Sequence, residues 1–224
     1  EMMALAAAGL STDAAVQRIQ GNRPDGARDP ALPRYLDLDG FIDYMILHIH
    51  AGADDWPNHN WWAGRRRGPE SEGFRFFSWD QEITNASPVQ TRTSGGPRFE
   101  EVSAPDSPAF LYAQLRANPG FRLWFADRVQ RHLFDGGALA PDACVARWMA
   151  RAEEVDRAIV GESARWGDAR RSVPYKREVE WLAEQRWLRE TYWPQNHARA
   201  MERFARVGLY PSVAAPTIEP HGGR

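Results

Sequence analysis

Phe41, Ile42, Met45, Ile46 and Ile49 recur at the spacing of a helix with one buried face, and then the aliphatic residues stop. From 50 to 82 the chain reads HAGADDWPNHNWWAGRRRGPESEGFRFFSWDQE, a run of carboxylates, amides and indoles with almost nothing aliphatic to bury. The spacing predicts a helix from 39 to 51, with Asp39 as its N-cap and Gly52 as its stop. Two short segments follow, NWWAGRR (60–66) and FRFFSWD (74–80), flanking the turn-rich RGPESEG, and they read as a β-hairpin. A symmetric register sets Asn60 directly across from Asp80 at the open end, with Cα atoms ~5 Å apart. Asp55, in the loop that joins helix to hairpin, can reach the same end, so the stretch converges two aspartates and an asparagine.

The rest of the chain reads as helices. A helical opening (about 1–19) leads into the connector GNRPDGARDPALPR at 21–34. After 104, Ser107 and Pro108 start one helix, PGFRLWFADRVQRHLF forms another, and two long helices follow. The last of these is interrupted at Pro194. Residues 91–106 read as a surface loop.

With 224 residues and 43% hydrophobic content, one large domain is the expectation. The 28 basic and 30 acidic residues nearly cancel, which disfavours nucleic acid or any other polyanion as partner. Lys176 is the sole lysine, a skew that fits a GC-rich bacterial genome. Cys144 is the sole cysteine, which excludes an internal disulfide and suits a small buried apolar residue. MMALAAAGL lacks a basic flank and runs into polar sequence, so it reads as a helix and not as a signal peptide. No apolar run is long enough for a membrane span.

An oxygen-only set of Asp55, Asn60 and Asp80 suits a hard cation, Mg²⁺ above all, which is usually held by one or two protein oxygens plus phosphate and water. The order helix, Asp-x-x-x-x-Asn loop, hairpin, Asp is that of a protein kinase, although neither H-R-D nor D-F-G is present. His48, His50 and His59 lack the spacing of a zinc site and read as structural or solvent-facing. Aromatic packing is the reading for most of the ten tryptophans, with sugar stacking by Trp56, Trp61 and Trp62 as the alternative. Arg65, Arg66 and Arg67 read as a solvated hairpin tip.

YLDLDGFIDYMILHIHAGADDWPNHNWW followed by GFRFFSWDQE resembles the CotH family, atypical protein kinases of bacterial spore coats and surface proteins. Asp55, Trp56, Pro57, Asn60, Trp61, Trp79 and Asp80 match its pattern; Ala53 stands where the family often has Asn. The resemblance implies an α+β, predominantly α-helical domain, a protein-kinase-like C-terminal lobe with the hairpin at its active site. It further implies Asp55 as the catalytic base or hydroxyl-orienting group, Asn60 and Asp80 on Mg²⁺ (or Mn²⁺), and Glu82 as a further ligand or supporting residue. Trp56, Trp61 and Trp79 would shape the site. ATP and a protein Ser or Thr hydroxyl would be the substrates, and the parent protein would be a bacterial secreted or cell-surface protein.

The lobe is expected over 1–208, with 209–224 as a linker to a following module. A strand-rich lobe with an ATP-gripping lysine is not read in these residues, so the chain alone is expected to bind ATP weakly. The alternative is a pseudokinase or surface scaffold that presents the Trp-rich stretch to partners.

Overall fold

The computed structural model describes residues 1–53, 56, 59–81, 84–85, 104–211 and 213. Its centre is helix α3, Leu38–Ala51. Leu38, Phe41, Ile42, Tyr44, Met45, Ile46, His48, Ile49 and His50 are all buried on it, so α3 is covered nearly all round and not on one stripe only. Asp37, not Asp39, is its N-cap: the Asp37 carboxylate accepts from the Gly40 amide at 3.1 Å. Asp39 falls in the first turn, where its charge still favours the positive end of the helix dipole.

The opening is two helices, α1 (Met2–Ala8) and α2 (Asp13–Ile19), where one was expected. Gly9 breaks them at a positive φ of 104°, and Thr12 restarts the chain by accepting from the Ala15 amide. Helices α4 (Pro108–Arg116) and α5 (Pro119–Leu133) begin as the sequence predicts, with proline in the first turn behind a capping Ser107 and Asn118. Asn118 also donates to the Ser11 carbonyl and the Asp13 carboxylate, tying the start of α5 to that of α2.

The first long helix is two, α6 (Pro141–Val155) and α7 (Ala158–Trp166). The second runs through a π-turn (Arg177–Trp181), α8 (Leu182–Trp187), another π-turn (Leu188–Tyr192) and α9 (Trp193–Arg206). Pro194 sits in the first turn of α9, so the interruption lies just before it. Its ring would clash with the Glu190 carbonyl in a regular α-helix, and the wider turn relieves that. The main core joins α1–α5 to Ala200, Phe204 and Leu209; Cys144, Leu188, Tyr192 and Trp193 form a smaller cluster between α6 and α9. Packing therefore continues past 208.

The one sheet among the described residues is the expected hairpin, β1 (Trp61–Gly64) antiparallel to β2 (Arg75–Ser78). Its register pairs Trp61 with Ser78 and Gly64 with Arg75, one residue away from the symmetric pairing. Phe76 faces inward onto Phe41, Tyr44 and Trp61 at centroid distances of 5.1, 5.7 and 6.0 Å, which fixes the inner face. The hairpin root is pinned to the start of α3, because the Phe74 amide donates to Tyr35 and the Phe74 carbonyl accepts from Asp37.

That approach requires Gly73. Its φ is +98°, and an added Cβ would lie 2.5 Å from the Leu36 carbonyl carbon and 2.7 Å from the Asp37 nitrogen. Gly73→Ala is expected to lower stability by at least about 2 kcal/mol. An unchanged urea midpoint would remove Gly73 from this role.

Candidate functional site

The last turn of α3 precedes the segment that carries Asp55 and Asn60, and the orientation of that turn is over-determined. An α-helix leaves its final four carbonyls without intrahelical partners. Here His48 O accepts from Ala53 N at 3.2 Å, and Ile49 O accepts from Gly52 N and from the Arg203 guanidinium at 2.8 Å. His50 O takes the Asn196 side-chain amide at 2.8 Å; Ala51 O takes Asn85 N at 2.9 Å and, more weakly, the Tyr192 hydroxyl at 3.5 Å. Gly52 closes the turn in the left-handed conformation, φ 63° and ψ 42°. Both the exit from α3 and the return of the chain at Asn85 are thus held by one face of the final helix. Buried Arg203 also sets a cation against the negative end of the α3 dipole.

Two neutral histidines support this end. His48 is 1% exposed, stacks on Trp56 at 4.7 Å and bonds Ser78 of β2 through Nε2 at 3.0 Å. His50 is 2% exposed and lies against Trp193; its Nε2 accepts from Asn196. They are core residues, matching the structural alternative. Burial pushes both down to about 3, with the Arg203 charge adding to the effect on His50.

The folded state thus resists protonating groups that take protons near pH 6.5 when unfolded, so stability is full above that pH and falls as pH drops toward 3. With two such groups the expected slope reaches about 2.7 kcal/mol per pH unit between roughly pH 6 and 4. Denaturant midpoints against pH test this, and His48→Gln is expected to remove about half of the slope. A flat profile from pH 6.5 to 4.5 would contradict it.

Asn60 lies just before β1 and is 4% exposed, with its amide nitrogen buried and without a partner among the described residues. The observed register places Trp79, and not Asp80, opposite it at the open end. Regular alternation would then send Asp80 to the other face of the hairpin from Asn60. Asp80, however, has a φ of 55°, a left-handed backbone that ends the alternation at that residue. Asp80 is exposed. Trp56 is fully buried and donates to the Tyr44 hydroxyl, whereas Trp61 is half-buried. Trp79 is 58% exposed; with Trp62 and Phe77 it forms an aromatic outer face, contrary to simple core packing. Asp55, Pro57 and Glu82 lie outside the described residues.

For a cation, the fit rests on Asn60. Turning its amide over would put the carbonyl oxygen where the unpartnered nitrogen is placed, and a neutral oxygen is a ligand that Mg²⁺ accepts alongside carboxylate, phosphate and water. Among the described residues no three His, Cys, Asp or Glu side chains gather for a metal, so phosphate and water would complete the shell.

Sequence reasoning missed Tyr192, Asn196 and Arg203, whose partners lie more than a hundred residues away. Their spacing on one helix face was the available signal, but it does not say what that face meets. Among the described residues no helix is long and apolar enough to cross a membrane. No curated protein and no solved structure matches the chain. The family model described as CotH kinase protein matches residues 13–193, from α2 to the start of α9, and the chain belongs to that family.

Proposed function

We propose that the chain carries the metal- and hydroxyl-orienting part of an ATP-dependent Ser/Thr protein kinase of the CotH type, acting on a protein at the bacterial surface or in the spore coat. The observation that supports this reading most is the buried Asn60 amide without a partner, at the mouth of a hairpin and five residues after an aspartate in a family of kinases. A buried polar group left unpaired costs about 1–3 kcal/mol, which a ligand would recover.

In this reading the Asp55 carboxylate orients the substrate hydroxyl and takes its proton as the oxygen bonds to the γ-phosphorus; the bond from that phosphorus to the β–γ bridging oxygen breaks, and ADP leaves. Asn60 and Asp80 would hold Mg²⁺ or Mn²⁺, which neutralises charge on the phosphates. Trp56 packs on Tyr44 and His48 of α3, and Trp61 on Phe76 of the second strand. A second reading, a binding module without catalysis, draws on the exposed outer face of Trp62, Phe77 and Trp79.

The test is transfer of labelled γ-phosphate to protein acceptors with Mg²⁺ or Mn²⁺, using the chain together with any sequence that flanks it in the cell. Transfer that depends on Asp55 and Asp80 supports the kinase reading. No transfer with either ion gives the binding module precedence.

A further inference from the structure

A cleft of about 300 Å³ opens between the end of α3, the start of α6 and the start of α9, away from the hairpin. Its floor is apolar: Leu47, Leu139, Cys144, Trp148 and Trp193. Leu47 remains 43% exposed there, an unusual position for a leucine on the most buried helix of the fold. The indole N–H of Trp193 is buried and has no partner among the described residues.

Among the described residues, the charged groups that line the cleft are both cations, Arg147 and Arg151, one helical turn apart on α6. His50 adds a neutral ring, and among the described residues no carboxylate contributes to the lining. Arg147 spends one nitrogen on the Ala138 carbonyl at 3.0 Å; among the described residues Arg151 has only a solvent-exposed pairing with Glu154, the kind that competes weakly with a ligand. Both guanidiniums retain donors for a carboxylate, which they bind better than a point charge would.

We infer that this cleft binds an amphiphilic carboxylate, its hydrocarbon body on the Trp148–Trp193 floor and its head group at Arg147 and Arg151. A cavity of about 150 Å³ accepts benzene, so this one suits a body of roughly ten carbons. A strongly hydrated head without an apolar body would leave the floor unfilled, and a cationic head would face two arginines. The inference does not rest on the kinase reading, since neither Asn60 nor Asp80 is among the described residues that line the cleft.

Cys144, the chain's sole cysteine, is a built-in reporter. Its reaction with a thiol reagent at alkaline pH is measured while decanoate or decyltrimethylammonium is titrated, with tryptophan emission followed in parallel. Decanoate is expected to slow the labelling saturably and to shift the emission, with at least about tenfold higher affinity than the cationic amphiphile. Arg147→Glu/Arg151→Glu, both exposed positions, is expected to erase or reverse that preference while leaving the melting temperature unchanged. Equal protection by the two amphiphiles, no saturable protection, or an unaltered preference in the double variant would each overturn the inference.

Discussion

Asp55→Asn is expected to cut kcat by about 100-fold or more while leaving nucleotide affinity nearly unchanged, whereas Asp80→Asn is expected to lower both. The contrast follows from what each carboxylate would touch. Asp55 would act on the substrate hydroxyl, whose proton moves only in the transition state, so its loss is felt in turnover. Asp80 would offset the charge of a cation that also holds the phosphates, so its loss weakens the bound state as well.

Asparagine is the right replacement at 80 because the backbone there is left-handed, φ 55°, a conformation that Asn tolerates and Ala resists. Asp80 is exposed, so the melting temperature is expected to move by no more than a few degrees. Initial rates over a range of ATP concentrations and direct nucleotide titrations separate the two parameters. If both variants retain wild-type transfer, the aspartates do not have these roles.

The second large effect is on stability. Trp56→Ala is expected to cost about 3–5 kcal/mol, because it empties a fully enclosed indole site. Trp56 stacks on His48, lies 6.0 Å from the Tyr44 ring and donates to the Tyr44 hydroxyl, so truncation also leaves a buried phenol unpaired. Trp56→Phe keeps most of the volume and loses the hydrogen bond, for an expected loss of about 1–2 kcal/mol. Urea unfolding at an unchanged m-value gives both numbers. A loss below about 1 kcal/mol for the alanine variant would show that the packing of Trp56 on α3 contributes little to stability.

Much of this architecture was legible from local chemistry. Ser107 and Pro108, the glycine stop at 52 and the hairpin all act through neighbours a few residues away, and sequence spacing records such interactions directly. The hairpin register was not legible, because a one-residue slip changes no local propensity. It is decided by Phe76 packing on Phe41 and Tyr44, and by the close approach of Gly73 to Leu36 and Asp37.

The sequence predicts Asp39 as the N-cap where Asp37 is the residue that caps: aspartate suits both positions, and the Tyr35–Phe74 bonding fixes where the helix starts. At the candidate site, Asn60 was found by its spacing from Asp55 and by pairing across the hairpin. The residue that the observed register sets opposite Asn60 is Trp79. The side chains that hold the end of α3 were out of reach of any local rule, since Asn196 and Arg203 meet it only once the final helix has folded back.

In the proposed site Asn60 and Asp80 share one cation with the phosphates of a nucleotide. An anomalous difference map tests this, from crystals of the chain together with its flanking sequence grown with Mn²⁺ and a non-hydrolysable ATP analogue. The expected result is a Mn²⁺ peak about 2.1–2.2 Å from the Asn60 side-chain oxygen and from an Asp80 carboxylate oxygen, with phosphate oxygens completing the shell. A peak held by other residues, or an ordered nucleotide with Asn60 and Asp80 turned away from its metal, would contradict the claim.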